Sequence, residues 1–447
     1  MKCMAGFLSS NGVDGTIARN TPHVRPVSCA AAPLSPRAPI GHNARIALGQ
    51  RIAAITPAAR ISAAIELLDR LRTAQWRGTD RALTAWGRAN RFAGSKDRAA
   101  IADLVYDALR RRRSLGARLG LADPDGRALM LALAAEGGDP AALFTGDRFA
   151  PDAMSAAEGA ALSGSAAPLD DGARLDLPEQ ILPELRRSLG DDLAAVAGAM
   201  QHRAPLDLRV NLLRADLFAA RAALAEDGID AEPGPLSPTC LRVIAGARAL
   251  RGSRAYADGL VEIQDAASQA VADLAAAMPG ETVLDYCAGG GGKSLALAAA
   301  MGGKGRIFAH DVDPRRMKDL PARATRAGAS IKVSPDLPAQ LRGACNLVFV
   351  DAPCSGTGAW RRNPDGKWTL QWAEVETLAA LQRRIIAEAA RFVAPGGRML
   401  YATCSLLRIE NEDALDAAPP GWRVGETLRL SPIKGGDGFF GAVLHAP

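Results

Sequence analysis

Three apolar, strand-like runs in the C-terminal half of the chain each end in a loop-forming segment. Val283-Leu284-Asp285-Tyr286-Cys287-Ala288 leads into Gly289-Gly290-Gly291-Gly292-Lys293-Ser294. The other two runs end at Asp351-Ala352-Pro353-Cys354-Ser355 and at Tyr401-Ala402-Thr403-Cys404-Ser405. After residue 265 such runs alternate with helical patterns, which indicates an α/β fold with a mostly parallel, doubly wound sheet.

The strand–helix alternation also predicts where the loops of this part meet. The carboxyl ends of parallel strands lie at one edge of the sheet, where ligands bind in this architecture. We therefore expect the glycine segment and the two cysteines Cys354 and Cys404 at the same edge. Strands are predicted at 282–286, 306–310, 346–350, 397–402 and 439–444, and helices at 293–301, 314–327 and 373–393.

The front of the chain has a helical pattern. Ile61, Ile65, Leu68 and Leu71 recur at helical spacing, and a second helix is predicted over 97–113. Because no strand-like pattern precedes about residue 170, this region should be all-helical.

The same region is strongly basic. Residues 51–130 carry a net charge of +8, whereas the whole chain carries +6. This asymmetry suggests a module that binds a polyanion. Arg110-Arg111-Arg112-Arg113, the arginine run, would either complement a helix dipole or contact RNA phosphates, and both roles are compatible.

Composition and patterning divide the chain into five segments. Strand, helix and strand patterns at 206–211, 215–227 and 240–244 fit either a small RNA-binding subdomain or a plain α+β insert. The predicted segments are a disordered leader (1–50), a helical domain (51–145), a linker (146–172), a small α+β subdomain (173–265) and the α/β domain (266–447).

Cysteine and hydropathy patterns limit the compartment and the type of site. The seven cysteines are an odd number and are widely scattered, which favours reduced thiols in a cytoplasmic protein over a disulfide framework. The His and Cys residues do not have the spacing of zinc ligands, so we expect no metal. The sequence shows neither a transmembrane run nor the pattern of a secretory signal, so we expect no membrane partner. We expect a monomer.

The glycine segment favours a nucleotide-like ligand. A P-loop would need glycine at Cys287, and a dinucleotide fingerprint would need glycine at Ser294. Asp311 ends the second strand, where an acid can bind ribose hydroxyls. Asp313 competes for that role but precedes Pro314 and suits a helix N-cap, with Arg316 on the first turn. Together these residues indicate an adenosine-type cofactor.

Two of the cysteines favour covalent chemistry. A lone cysteine is usually a small buried hydrophobe, the reading that fits Cys240, Cys287 and Cys345. Cys354 and Cys404 instead follow two strands at the ligand-binding edge. A thiolate that adds to C6 of cytosine or uracil makes C5 nucleophilic toward a methyl sulfonium. The reaction also needs an acid near the ring, a base for the C5 proton and a lowered thiol pKa, and Asp351, Cys354 and Lys293 are candidates for supplying these.

At these residues the chain resembles the RsmB/Fmu/Sun family of S-adenosylmethionine-dependent RNA cytosine-5 methyltransferases. The helical front resembles, more weakly, the NusB-like RNA-binding domain of bacterial members. The matching segments are 285–294, Asp351 to Gly358, Arg361-Arg362-Asn363-Pro364-Asp365-Gly366-Lys367-Trp368, Thr403-Cys404-Ser405 and Glu410-Asn411-Glu412, with Arg209-Val210-Asn211, Glu262-Ile263-Gln264-Asp265 and Asp437-Gly438-Phe439-Phe440.

The resemblance implies a Rossmann-like methyltransferase domain and a role for each site residue. It implies that Cys404 is the nucleophile, that Cys354 helps to release the product and that Asp351 faces cofactor and target base. The cofactor S-adenosylmethionine would lie along Cys287, Ala288, Gly289, Gly290, Gly291, Gly292 and Lys293, with Asp311 on the ribose, Arg316 nearby and Asp336 near the adenine.

The chain departs from the family pattern at two places. Family members usually have Ala-Pro-Gly-Gly-Lys-Thr where this chain has four glycines before Lys293 and Ser294, which makes the loop more flexible before cofactor binds. Asn346 stands where an aspartate is common. The expected function is formation of 5-methylcytosine in RNA, with ribosomal RNA the expected substrate. The alternatives are a P-loop NTPase and a non-catalytic RNA-binding or ribosome-assembly factor.

Overall fold

The computed structural model describes residues 55–73, 78–164 and 169–447. The predicted leader, residues 1–50, lies outside these ranges. A helix able to cross a bilayer is not found among the described residues.

The front of the described chain is helical. Pro57 starts the first helix, where the Thr56 hydroxyl accepts a hydrogen bond from the Ala59 N–H. Ile61 and Leu68 are buried in the core of this region, together with Ile101 from a later helix, as the helical spacing predicts. The helices are α1 (Pro57–Arg72), α2 (Thr79–Ala89), α3 (Ser95–Arg110), α4 (Arg112–Ala117) and α5 (Gly126–Gly137).

The arginine run lies at a break between helices rather than at the end of one. The helix predicted over 97–113 ends at Arg110, and Arg111 leaves the helical conformation before α4 begins. Each of the four guanidinium groups forms an ion pair within the protein. These ion pairs explain the arginine run at least as well as the predicted interaction with a helix dipole or with RNA phosphates. The pairs are Arg110 with Asp107, Arg111 with Glu136, Arg112 with Asp123, and Arg113 with Asp170 and Glu179.

The stretch predicted to be loop-like, 146–172, contains a helix that the sequence pattern did not indicate. Ser155 and Glu158 form a reciprocal capping box at its start, and Glu158 also pairs with Arg127 at 2.7 Å. The cap and this ion pair stabilise a short helix without apolar periodicity. This helix is α6 (Ala156–Ser163), and three more helices follow it before the first strand: α7 (Asp171–Leu175), α8 (Leu182–Leu189) and α9 (Leu193–Met200). The domain boundaries stay predictions.

A four-stranded sheet follows, in the order β2-β3-β1-β4. The strands predicted at 206–211 and 240–244 are β1 and β3, which pair antiparallel with Leu208 opposite Leu241. Strands β2 and β4, of four and three residues, were not predicted, because such short segments do not establish a strand pattern. The elements are β1 (Leu206–Val210), α10 (Leu217–Glu226), β2 (Asp230–Pro233), β3 (Cys240–Ala245), α11 (Arg254–Ala257) and β4 (Val261–Ile263).

A seven-stranded sheet forms the core of the C-terminal part, in the order β10-β11-β9-β8-β5-β6-β7. The strands are β5 (Thr282–Asp285), β6 (Arg306–Ala309), β7 (Lys332–Val333), β8 (Cys345–Asp351), β9 (Val393–Thr403), β10 (Arg423–Leu430) and β11 (Phe439–His445). The helices are α12 (Ala266–Leu274), α13 (Gly292–Ala300), α14 (Leu320–Ala327), α15 (Asp365–Thr369) and α16 (Trp372–Ala389).

The topology confirms the predicted α/β class with a mostly parallel, Rossmann-like sheet. Strands β5 to β9 pair in parallel, and β10 and β11 add an antiparallel edge. The helix predicted over 314–327 is split into a 3₁₀ turn, Pro314–Met317, and α14, which has Pro321 in its first turn. The carboxyl ends of β5, β6, β8 and β9 lie along one edge.

The helical region packs on the α/β domain through residues 361–368. This segment, here called the docking loop, comprises the residues before α15 and most of that short helix. Lys367 is fully buried, and its Nζ donates to the carbonyl oxygens of Arg110 and Asp176, both at 3.0 Å. The Trp368 indole donates to the Leu109 carbonyl at 2.7 Å. These donors satisfy the last carbonyl groups of α3, which have no partner within the helix.

Replacing Lys367 should destabilise the protein in a pH-dependent way. Lys367→Met leaves two carbonyls without donors, which should cost about 2–4 kcal/mol. Burial lowers the pKa of Lys367 from 10.5 to about 8. Between about pH 8 and pH 10.5, Lys367 is therefore protonated in the unfolded chain and neutral in the folded chain. The contribution of Lys367 therefore rises with pH from about 8 to about 10.5 and is smallest below pH 8.

Urea unfolding of wild type and Lys367→Met at pH 7 and 9.5 checks this. The gap between their free energies of unfolding should widen by about 1–2 kcal/mol at the higher pH. The exposed Lys304 supplies the control variant Lys304→Met, whose gap should stay near zero. A gap that narrows as the pH rises would contradict the assignment.

Candidate active site

The loop after β5, residues 287–293, forms a tight turn that we call the glycine turn. Gly289 and Gly291 adopt positive φ angles of +51° and +79°, a region that glycine enters without strain. A Cβ on Gly291 would lie 2.2 Å from a methyl carbon of Leu320, so the turn also needs glycine for its packing against α14. The last two residues of the turn, Gly292 and Lys293, are also the first two residues of α13.

Asp311 connects the glycine turn to the loop after β6. Its buried carboxylate accepts hydrogen bonds from the backbone N–H groups of Gly289 and Asp313, each at 2.9 Å, and pairs with Arg316 at 2.9 Å. Asp313 caps the 3₁₀ turn through the Arg315 N–H, which is the helix-cap role predicted for it. Arg316 lies in that turn, half-exposed, beside Gly289.

Asp336 lies on the loop after β7, and its side chain is exposed. The loop starts near the carboxyl end of β6, because the Ser334 N–H donates to the Ala309 carbonyl at 2.8 Å. The Ser334 carbonyl also lies 3.0 Å from His310 Nδ1. Asp336 therefore follows a segment at the ligand-binding edge, and its adenine contact stays a prediction.

Lys293 and Asp351 form an ion pair between the glycine turn and the end of β8. The Lys293 Nζ lies 2.8 Å from Asp351 Oδ2 and 5.1 Å from the ring centre of Phe439. Since this ammonium is paired with a carboxylate, the predicted activation of a thiol by Lys293 stays a prediction.

Asp285, at the end of β5, was assigned no role by sequence. It is fully buried and accepts a hydrogen bond from the Ser294 hydroxyl at 2.5 Å. Burial raises the pKa of Asp285 to about 7. Its Oδ1 has no hydrogen-bond partner among the described residues.

Cys354 and Cys404, the thiol pair, are in contact, with their Sγ atoms 3.4 Å apart. Strands β8 and β9 are adjacent and parallel, with Asp351 opposite Ala402, so the loops that follow them leave the sheet side by side. The Gly358 N–H donates to the Cys404 carbonyl at 2.9 Å and fixes this arrangement.

The contact between the two thiols affects the protonation of Cys354. The hydrogen bond between Cys354 and Cys404 raises the pKa of Cys354 well above its usual value, and burial and the charge of Glu410 act in the same direction. Cys354 therefore keeps its proton at neutral pH.

A buried carboxylate beneath the thiol pair completes the site. Glu410 accepts hydrogen bonds from Ser355 and Ser405, each of which directly follows one of the two cysteines. Sequence reasoning assigned no role to Glu410. The signal that could have indicated such a carboxylate is the Cys-Ser pair that follows each of the two strands. Serine hydroxyls buried at a sheet edge need a hydrogen-bond acceptor.

The other described cysteines have packing roles. Cys240 and Cys345 are buried, and burial raises the pKa of Cys345 to about 11. Cys287 is half-buried in the glycine turn, and burial raises its pKa as well. Within residues 55–73, 78–164 and 169–447, no group of three or more His, Cys, Asp or Glu could hold a metal ion.

Comparison with known proteins identifies the family. The profile described as 16S rRNA methyltransferase RsmB/F matches residues 272–434, and the RsmF/B-like ferredoxin-like domain matches 177–248. The small-subunit rRNA methyltransferase B of Citrobacter koseri is 32% identical over 290 residues, 61% of this chain and 67% of that protein. The chain belongs to the RsmB/F methyltransferase family. This confirms the family predicted from the motifs.

Other relatives match over less of their length or show only the fold. The probable rRNA small-subunit methyltransferase B of Bacillus subtilis is 35% identical over 216 residues, and the match spans 47% of this chain and about half, 48%, of that relative. The crystal structure of PH0851 has a TM-score of 0.68 at 23% identity and covers 87% of this chain and 99% of its own. The RsmB/F segment contains the glycine turn and the thiol pair.

The protonation of the thiol pair gives a labelling prediction. Iodoacetamide reacts with thiolates, so Cys354 should be alkylated slowly at pH 8. Cys404→Ala removes the main cause of its raised pKa, and each unit by which the pKa falls should speed labelling by about tenfold. A time course followed by peptide mass spectrometry measures the rate. Cys345, in the same samples, should be unchanged, and slower labelling of Cys354 in the variant would contradict the proton assignment.

Proposed function

We propose that this protein is an S-adenosylmethionine-dependent methyltransferase that forms 5-methylcytosine in RNA. The observation that carries the proposal is the thiol pair, with its Sγ atoms 3.4 Å apart at the carboxyl edge of a parallel sheet. Covalent catalysis on a pyrimidine needs a nucleophilic thiolate and a second group that handles protons nearby. The relatives' names, rRNA small-subunit methyltransferase B, support ribosomal RNA as the substrate.

The residues at the sheet edge fit S-adenosylmethionine. Asp311 has the acceptor chemistry needed for ribose hydroxyls, and Arg316 and Asp336 flank the same edge. Asp285 Oδ1, buried without a partner among the described residues, and Asp351 provide carboxylate oxygens suited to an ammonium group. The backbone from Cys287 to Lys293 allows close approach through its glycines. When bound, S-adenosylmethionine supplies an electrophilic methyl group.

The raised pKa of Cys354 supports a different role for each thiol of the pair. Cys404 adds to C6 of the cytosine, because its neighbour Cys354 holds a proton and is a poor nucleophile in that state. Asp351, held by Lys293, faces the ring and stabilises the charge that develops there. Cys354 first gives its own proton to the ring when Cys404 adds to C6, and the strongly basic thiolate that remains then takes the C5 proton before Cys404 leaves.

The helical domain would provide affinity for RNA. Its net charge supports contact with phosphates, and a NusB-like fold for residues 51–145 is part of the proposal. The target cytosine must leave its stack to reach the thiol pair. We further propose that the protein acts as a monomer in the cytoplasm.

The two cysteines should fail in different ways when replaced. Cys404→Ala should lower methyl transfer by at least about a thousandfold, because no covalent bond to C6 can form. Cys354→Ala should accumulate a protein–RNA adduct that survives denaturation, because release is blocked. Tritiated methyl incorporation and denaturing gels measure both. Cys345→Ala should keep activity, and an adduct that builds up in the Cys404 variant would invert the roles.

Asp311 should control cofactor affinity. Asp311→Ala removes the acceptor of the Gly289 N–H and of Arg316, so binding of S-adenosylhomocysteine should weaken about 10- to 100-fold, or about 1.4–2.7 kcal/mol. Calorimetric titration measures the dissociation constant. Asp313→Ala is the control, since Asp313 caps a short turn instead. Weaker binding in the Asp313 variant alone would transfer the ribose role to that residue.

A further inference from the structure

Glu410 is a fully buried carboxylate with every acceptor position used. Its Oε1 accepts from the Ser355 N–H at 2.8 Å and from Gln382 Nε2 at 3.1 Å. Its Oε2 accepts from the hydroxyl groups of Ser355 and Ser405. An ionised carboxylate has about four lone-pair sites, and four donors fill them.

Three of these four donors come from the two loops that carry the thiol pair. Ser355 directly follows Cys354, and Ser405 directly follows Cys404. A single carboxylate therefore holds the residue next to each thiol. Hydrogen bonds to a charged acceptor are roughly twice as strong as neutral ones, so this connection is stiff.

The segment that carries Glu410 is itself fixed from two sides. The Tyr401 hydroxyl donates to the Glu410 carbonyl at 2.6 Å, which ties it to β9. Gln382, on α16, donates both to Glu410 and to the Pro353 carbonyl at 2.9 Å, next to Cys354. The carboxylate therefore has little freedom to move.

We propose that Glu410 is the positioning residue of the thiol pair. By clamping the residues that follow both cysteines, it sets the distance between the sulfur atoms, and its charge helps to keep Cys354 protonated. The proposal rests on the proposed function for its importance in catalysis, but the spacing itself can be measured without methyl transfer.

A trivalent arsenical provides that measurement. Phenylarsine oxide reacts with two neighbouring thiols to form two As–S bonds. Its oxygen leaves as water with the two thiol protons, and arsenic and sulfur keep their oxidation states. The bridge needs two sulfurs close together, as in the thiol pair. Cys354→Ala, titrated in parallel, defines the signal that does not come from the pair.

The test compares Glu410→Ala with Glu412→Ala in the full-length protein. Glu412 is two residues away and pairs with Arg429 at 2.6 Å instead of with the cysteine loops. Glu410→Ala should weaken arsenical capture by at least about tenfold, the effect of losing a charged acceptor. Glu412→Ala should bind the arsenical as wild type does. Circular dichroism checks that each variant is folded.

The outcomes separate this proposal from the proposed function. Capture by folded Glu410→Ala that equals wild type overturns the positioning role, whether or not the enzyme methylates RNA. Loss of capture supports the role even if wild type transfers no methyl group to ribosomal RNA, a result that would instead defeat the proposed function. In an active enzyme, Glu410→Ala should lower kcat with little change in the KM for RNA.

Ser355→Ala decides the question if Glu410→Ala does not fold. It removes one donor to the clamp and leaves the carboxylate in place with its other partners. Capture should then weaken by about threefold or more, a fraction of the full effect. Unchanged capture in this variant would overturn the proposal.

Discussion

The parallel pairing of β8 with β9 is the constraint on which the rest of the site depends. With Asp351 opposite Ala402, the two strands end at nearly the same level, and the loops that follow them leave the sheet together. Residues 50 positions apart in sequence thus reach sulfur–sulfur contact. A slip of one residue in this register would turn every side chain of the shifted strand to the other face of the sheet and displace the two loops relative to each other.

Buried charges surround this junction, and each is compensated differently. Lys293 forms an ion pair with Asp351 across two loops, whereas Glu410 accepts hydrogen bonds from uncharged serine and glutamine groups. Asp285 accepts a hydrogen bond from the Ser294 hydroxyl, and its burial raises its pKa to about 7. Desolvated carboxylates are costly unless hydrogen-bonded. The site is therefore rigid around Glu410, whereas Asp285 retains an acceptor oxygen without a described partner.

Sequence predicted the buried strands well, because continuous apolar runs have one physical explanation in a two-sided sheet. It failed for β7, which has two residues, and for β10, whose exposed edge carries polar side chains. It also placed the cysteine loops at one sheet edge. It could not assign Glu410, because that role arises from hydrogen bonds between segments 55 residues apart, which no local pattern records.

The docking loop extends these constraints to the helical domain. It begins shortly after the Cys354 loop, and Arg361 within it forms a buried ion pair with Asp437 at 3.0 Å. At its other end Lys367 and Trp368 bind the last carbonyls of α3. Buried polar contacts of this kind give little net stability, but in some proteins they select one arrangement over others. Extending that role to this chain, the docking loop would fix the orientation of the helical region relative to the Cys354 loop that precedes it.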